Sequence, residues 1–272
     1  MMVIAATDLH QLRQSRDFWL PLLIISVLFF VIIPALLLMM LTSISNVTLV
    51  GKLSGVVTAL PGSVQNTIKA SVPGNHPELQ AAYALAVFLF APLAVMIPLT
   101  VSSAVAANTL IGERERGSGE FLAHSPASTR EIYLGKMIAS LVPGYLVAIV
   151  GFASYSLVVD LIVGRKVGSW FFPTTSWWLL MAFVVPPCIA LAVEVIIAIS
   201  AKVSSSAAAQ QASSLISLPL IGVAYAISSG TFVTSTWSVV FIGLGLWVVA
   251  ALLLRRLSRT VTRERLLGMG GG

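Results

Sequence analysis

Residues 18–41 read FWLPLLIISVLFFVIIPALLLMML and contain no charged side chain. An α-helix rises about 1.5 Å per residue, so this stretch is long enough to cross the roughly 30 Å hydrocarbon core of a bilayer. The whole 272-residue chain has the same character, since 57% of its residues are hydrophobic, only 10% are charged and its mean hydropathy is +0.97. Soluble domains are nearer a quarter charged. The composition therefore excludes a disordered chain, a coiled coil and a soluble α/β domain, and predicts a polytopic membrane protein.

Further long apolar stretches recur along the chain. We predict an all-α fold, because lipid offers the backbone of a span no hydrogen-bond partner outside its own helix. The prediction is one transmembrane domain over residues 1–272, with six spans at about 18–41, 82–107, 136–163, 176–200, 209–228 and 237–254. An outer loop covers 42–78 and a cytoplasmic loop covers 108–135. Apolar residues at helical spacing predict two short amphipathic helices in the outer loop, which form either a lid or a surface staple.

The basic residues orient the chain. Twelve of the sixteen Lys and Arg residues fall inside if both termini are cytoplasmic, and four fall outside. The positive-inside rule favours that orientation. Residues 7–17 form a predicted short helix at the inner interface. The net charge of +6 is explained by this loop bias and by an arginine-rich C-terminal tail that suits anionic lipid, so no nucleic-acid partner is expected.

The loop between the second and third predicted spans carries the most distinctive pattern. Residues 108–136 read NTLIGERERGSGEFLAHSPASTREIYLGK. Glycines at 117 and 119 break the helix that ends at Arg116, a short piece follows at Glu120–His124, and Ser125-Pro126 breaks the chain again. Ser128 and Glu131 have the spacing of a capping box that starts the next helix. A short helix between two bends is suited to docking on a partner, although an ordinary solvated hairpin has the same charges.

This loop resembles the signature of type-2 ABC transporter permeases. The resemblance rests on fourteen positions: Glu113, Arg114, Glu115, Gly117, Glu120, Phe121, Leu122, Ser125, Pro126, Ser128, Glu131, Ile132, Gly135 and Lys136. The stretch 204–219 is similar to the branch that includes sodium-extrusion and drug-export permeases. With the six-span layout, the similarity covers nearly the whole chain.

The resemblance implies a transmembrane subunit of an ATP-driven exporter in a prokaryotic plasma (inner) membrane. Its partners would be two copies of a separate ATP-binding cassette subunit and a second permease subunit, as a homo- or heterodimer. The residues in contact with the ATPase would be Glu113, Arg114, Glu115, Arg116, Gly117, Glu120, Phe121, Leu122, Ser125 and Pro126. The chain has no GxxxxGK[ST] motif, so we expect it to be no enzyme and to bind no cofactor, with ATP and Mg²⁺ held by the partner.

Two acids fall within apolar stretches. Asp160 is placed at the outer end of the third span beside Arg165 and Lys166, where a solvated end charge is the simpler interpretation. Glu194 falls well inside the fourth span, where an ionisable group costs about 3 kcal/mol. It is a candidate for the substrate path, as a cation or proton site, or it is held by an interhelical hydrogen bond.

The sequence argues against several other classes of function. The sequence has no HExxH motif, all three histidines lie outside the predicted spans, and the single cysteine, Cys188, offers no disulfide or metal cluster. An intramembrane enzyme and a metal site are therefore not expected. The alternative is a stand-alone ion-coupled secondary transporter or channel that uses Glu194.

Overall fold

A computed structural model describes residues 2–14, 16–43, 47–72, 74, 76–115, 127–200 and 236–260, together with isolated positions at 211, 218, 221, 222 and 226. All regular elements within these residues are helical. The α-helices are Met2–Gln14, Arg16–Val27, Ile33–Ser43, Val47–Ala59, Gly62–Ser71, Pro77–Ala84, Ala91–Glu115, Thr129–Val159, Arg165–Val167, Thr175–Leu179, Val185–Ser200 and Thr236–Thr260. Four π-helical turns join some of them: Leu28–Ile32, Leu85–Leu89, Asp160–Gly164 and Leu180–Val184.

Five continuous helices in the described part of the chain are long and apolar enough to cross a membrane. We name them the first span (Trp19–Thr42), second span (Pro77–Thr109), third span (Thr129–Val167), fourth span (Thr175–Ile199) and C-terminal span (Val239–Ser258). They confirm five of the six predicted spans. The remaining one, predicted at 209–228, lies outside the described residues apart from isolated positions.

Three of the four π-helical turns lie just before a proline. Proline has no N–H, and its ring clashes with the carbonyl four residues earlier in a regular α-helix. The carbonyls that would clash with Pro34, Pro92 and Pro186 belong to residues 30, 88 and 182, and each falls inside a π-helical turn. The wider turn therefore accommodates the ring while the span stays helical.

The second and fourth spans form the centre of the bundle, because they are the most buried of the five. The second packs against the third and fourth, and the fourth also packs against the C-terminal span. Gly144 of the third span lies so close to the second that an added Cβ would stand 1.8 Å from the Ser102 hydroxyl. The first and C-terminal spans instead expose many large apolar side chains, as expected of helices that face lipid or other subunits.

The segment between the first and second spans contains the two short helices predicted there, Val47–Ala59 and Gly62–Ser71. Val64 and Ile68 of the second helix, with Leu60 and Val72 on either side of it, join the main core. Val50, Leu53 and Val57 of the first helix pack against that core and are half-buried. Ser71 also donates a hydrogen bond to the Tyr83 hydroxyl at the start of the second span, at 3.1 Å. The segment therefore packs on the end of the bundle.

Candidate functional site

The two ends of the 108–135 loop are joined by a buried lysine. Lys136 is 1% exposed, and its Nζ donates a hydrogen bond of 2.8 Å to the carbonyl of Thr109 at the end of the second span. The same Nζ lies 3.7 Å from the Asp8 carboxylate, which belongs to the N-terminal helix Met2–Gln14 and is also buried. We call Lys136, Asp8 and Thr109 the Lys136 cluster. It connects three segments at one point.

Lys136 is the first residue of the third predicted span, and nothing in the sequence indicated that it would be buried. The third span begins at Thr129, two turns before Lys136, and the N-terminal helix covers the lysine. A buried charge is stable only when it is paired and hydrogen-bonded. The Asp8 carboxylate and the Thr109 carbonyl supply those partners, and no sequence pattern connected Asp8 with a residue 128 positions away.

The predicted capping box at the start of the third span is confirmed. The Ser128 Oγ accepts a hydrogen bond from the Glu131 backbone N–H at 3.3 Å, and the Glu131 carboxylate accepts one from the Ser128 N–H at 2.9 Å. Two of the helix's first N–H groups are thereby satisfied. The loop therefore rejoins the bundle at a fixed residue.

On the other side of the loop, the helix Ala91–Glu115 extends past the second span, as predicted for residues 113–115. Glu113, Arg114 and Glu115 thus lie in its last turn. The other predicted contact residues, Arg116, Gly117, Glu120, Phe121, Leu122, Ser125 and Pro126, lie outside the described residues. The described part of the chain therefore contains the two helix ends between which the loop runs.

Glu194 is completely buried in the fourth span. Neither of its carboxylate oxygens has a hydrogen-bond partner among the described residues, so the predicted interhelical bond to a hydroxyl is not seen there. Tyr133, one helical turn before Lys136, lies within electrostatic range of Glu194, and its hydroxyl likewise has no partner in the described part of the chain. The first turns of the third span therefore face both the Lys136 cluster and the buried acid.

Comparison with known protein families gives one assignment. Residues 2–234 match the pattern described as ABC-2 family transporter protein. The chain belongs to the ABC-2 family. Neither the curated proteins nor the solved structures contain a significant match. The family and the apolar helices together make the chain a multi-pass membrane permease, the transmembrane component of an ABC transporter and not its ATPase. Permeases of this family generally work with an ATP-binding subunit.

In this ABC-2 permease, Asp160 is not the solvated end charge that the sequence predicted. It is buried, and its Oδ1 accepts hydrogen bonds from the backbone N–H groups of Phe171 and Phe172, both at 3.2 Å. The carboxylate therefore holds the connection between the third and fourth spans against the bundle. Lys166 does not accompany it, because its Nζ donates to the carbonyl of Thr42 at the end of the first span.

The π-helical turn of the second span is held by its neighbours. The Tyr155 hydroxyl of the third span donates to the Ala86 carbonyl at 2.7 Å, and the Trp177 indole of the fourth donates to the Val87 carbonyl at 2.8 Å. The same two rings stack on each other at a centroid distance of 5.4 Å. Polar backbone at membrane depth is tolerated when protein groups satisfy it. The sequence indicated the prolines but gave no sign of these donors.

Within the described residues, no group of His, Cys, Asp and Glu side chains is placed to hold a metal ion.

Proposed function

We propose that the chain is the permease of an ATP-driven exporter, with six spans and both termini in the cytoplasm of a prokaryotic plasma membrane. The match of residues 2–234 to the ABC-2 family carries this proposal. The distribution of Lys and Arg supports the orientation. The resemblance of residues 204–219 supports the branch of sodium-extrusion and drug-export permeases.

The loop between the second and third spans would be the contact with the motor. In the proposal, Glu113–Arg116 and the short piece at 120–122 dock on the ATP-binding subunit, which holds ATP and Mg²⁺. The Lys136 cluster supports this role, because it fastens both ends of the loop and the N-terminal helix together. A displacement of the loop would then reach three helices at once.

Six helices are few to enclose a path for a sizeable solute, which supports an assembly of two permease subunits and two ATP-binding subunits. Copurification from native membranes tests this assembly. The proposal expects an ATPase to accompany the permease in a fixed ratio. Uphill transport of a cargo by the purified chain alone, reconstituted without any partner, would contradict it.

The loop contact is tested by charge reversal. Glu120→Arg should leave membrane insertion intact and abolish substrate-stimulated ATP hydrolysis of the complex, because an ion pair with the motor becomes a repulsion. Glu78→Arg is the matched control, since Glu78 lies at the opposite end of the second span, where its carboxylate is 3.4 Å from the ring of neighbouring His76. Normal stimulation in Glu120→Arg would refute the contact.

A second candidate function is favoured by Glu194. A buried carboxyl group without a hydrogen-bond partner in the described residues suits a proton or cation site on the transport path. In a stand-alone ion-coupled carrier, the reconstituted chain would move cargo in response to an imposed ion gradient without ATP. If the chain alone shows no such transport and the complex transports cargo with ATP, the second candidate is excluded and the exporter is supported.

A further inference from the structure

An apolar groove of about 370 Å³ lies between the first and third spans. Trp19 and Val31 mark its extent along the first span, and Pro143 and Ser154 mark it along the third. Its volume is within the roughly 300–1,000 Å³ that is usual for small-molecule sites. The groove is separate from the Lys136 cluster and from Glu194, and none of those residues lines it.

The wall of the groove offers an occupant almost no hydrogen bond. Among the described residues that line it, two serines are the only polar side chains besides the Trp19 indole. Ser26 donates to the Leu22 carbonyl at 2.7 Å, and Ser154 donates to the Val150 carbonyl at 2.8 Å. Each hydroxyl is therefore satisfied within its own helix. A hydrocarbon chain fits such a surface, whereas a polar solute would lose its hydration without compensation.

The length of the groove distinguishes between apolar occupants. From Trp19 to Val31 the first span rises about 18 Å, and from Pro143 to Ser154 the third rises about 16 Å. One leaflet contributes about 15 Å of hydrocarbon, half of the bilayer core. A transmembrane helix of a second copy would need a groove through the full thickness. This groove ends near the contact between Phe30 and Gly151, where an added Cβ would stand 2.4 Å from the ring.

The mouth of the groove fits a lipid headgroup. Trp19 stands there at the beginning of the first span, and tryptophan is enriched at the membrane interface. The headgroup of a phospholipid would therefore stay at the interface while its acyl chain enters the groove.

We propose that the groove is a lasting binding site for one acyl chain of a phospholipid, taken from the leaflet on the side of the N-terminal helix. The site does not depend on the direction of transport or on the ATPase. A bound chain would fill the space between two spans that touch closely at Phe30 and Gly151.

Native mass spectrometry of the full-length permease tests the site after exchange into detergent with added phosphatidylglycerol. Val150→Trp and Leu23→Trp fill the groove from its two walls, and each should abolish the retained lipid adduct. Ile149→Trp and Ile24→Trp are the controls, because these residues do not line the groove. Leu23 and Ile24 are 57% and 55% exposed, and Val150 and Ile149 are 63% and 49% exposed, so all four variants should fold.

The expected result is one phosphatidylglycerol per chain in the wild type and both controls, with none in the two groove variants. An adduct that survives Val150→Trp and Leu23→Trp would overturn the proposal. A disulfide between two copies of Val150→Cys, in a Cys188→Ala background, would show that a second copy occupies the groove, and would also overturn it.

Discussion

A lysine ammonium and a carboxylate buried side by side depend on each other. Removing Lys136 leaves the buried Asp8 carboxylate without its neighbouring ammonium group, and breaking such a pair costs about 3–5 kcal/mol. We therefore expect Lys136→Met to lower the free energy of unfolding by that amount, seen as a fall in Tm of the detergent-purified permease. Lys69→Met, at an exposed lysine, is the control and should leave Tm unchanged.

The double variant measures how strongly Asp8 and Lys136 depend on each other for stability. Asp8→Leu with Lys136→Met removes both charges, so its Tm should lie above that of Lys136→Met alone. Strictly additive losses from the two substitutions would mean that the ion pair contributes nothing to stability.

Glu194 presents the opposite case, a buried acid that no described group stabilises. Glu194→Gln keeps the shape of the side chain and removes its ability to ionise. If the acid lies on the transport path, the variant should keep or raise Tm and lose transport by the assembled complex. Wild-type transport rates in Glu194→Gln would make the residue purely structural.

Some elements of this fold are formed by residues that are neighbours in the sequence, and others are held by residues far away in the chain. The capping box at Ser128 and Glu131 and the two short helices before the second span were predictable, because the residues that form them are neighbours in the sequence. The π-helical turns were not, since the donors that hold the one in the second span belong to the third and fourth spans. The burial of Asp160 was missed for the same reason, since its partners Phe171 and Phe172 belong to the next connection.

The π-helical turn of the second span provides a test at this scale. Tyr155→Phe keeps the buried ring and removes the donor to the Ala86 carbonyl. A buried carbonyl left without its donor costs about 1–3 kcal/mol, so the unfolding free energy should fall within that range. Tyr145 lies on the same helix, and its hydroxyl makes no hydrogen bond to another span within the described residues, so Tyr145→Phe should change little. Equal effects of the two substitutions would show that the Ala86 carbonyl finds another partner.

The count of basic residues favours one orientation of the whole molecule in the membrane. In the proposed orientation the N-terminal helix and the end of the C-terminal span face the cytoplasm, and the helix Gly62–Ser71 faces outward. Single cysteines at exposed Gln14, Asn66 and Arg255, in a Cys188→Ala background, report this. An impermeant thiol reagent added outside intact cells should label Asn66→Cys alone. Labelling of Gln14→Cys or Arg255→Cys under those conditions would reverse the topology.

The sequence by itself determined that the chain is a bundle of apolar helices, where five of its spans run, and that it resembles ABC-2 permeases. Those features depend on composition and on spacing within single helices, which are written locally in the chain. Only the tertiary structure decided that Lys136 is buried against Asp8, that Asp160 holds a turn, and that Tyr155 and Trp177 support the second span. Burial is a property of what packs around a residue, and those neighbours come from helices far away in the sequence.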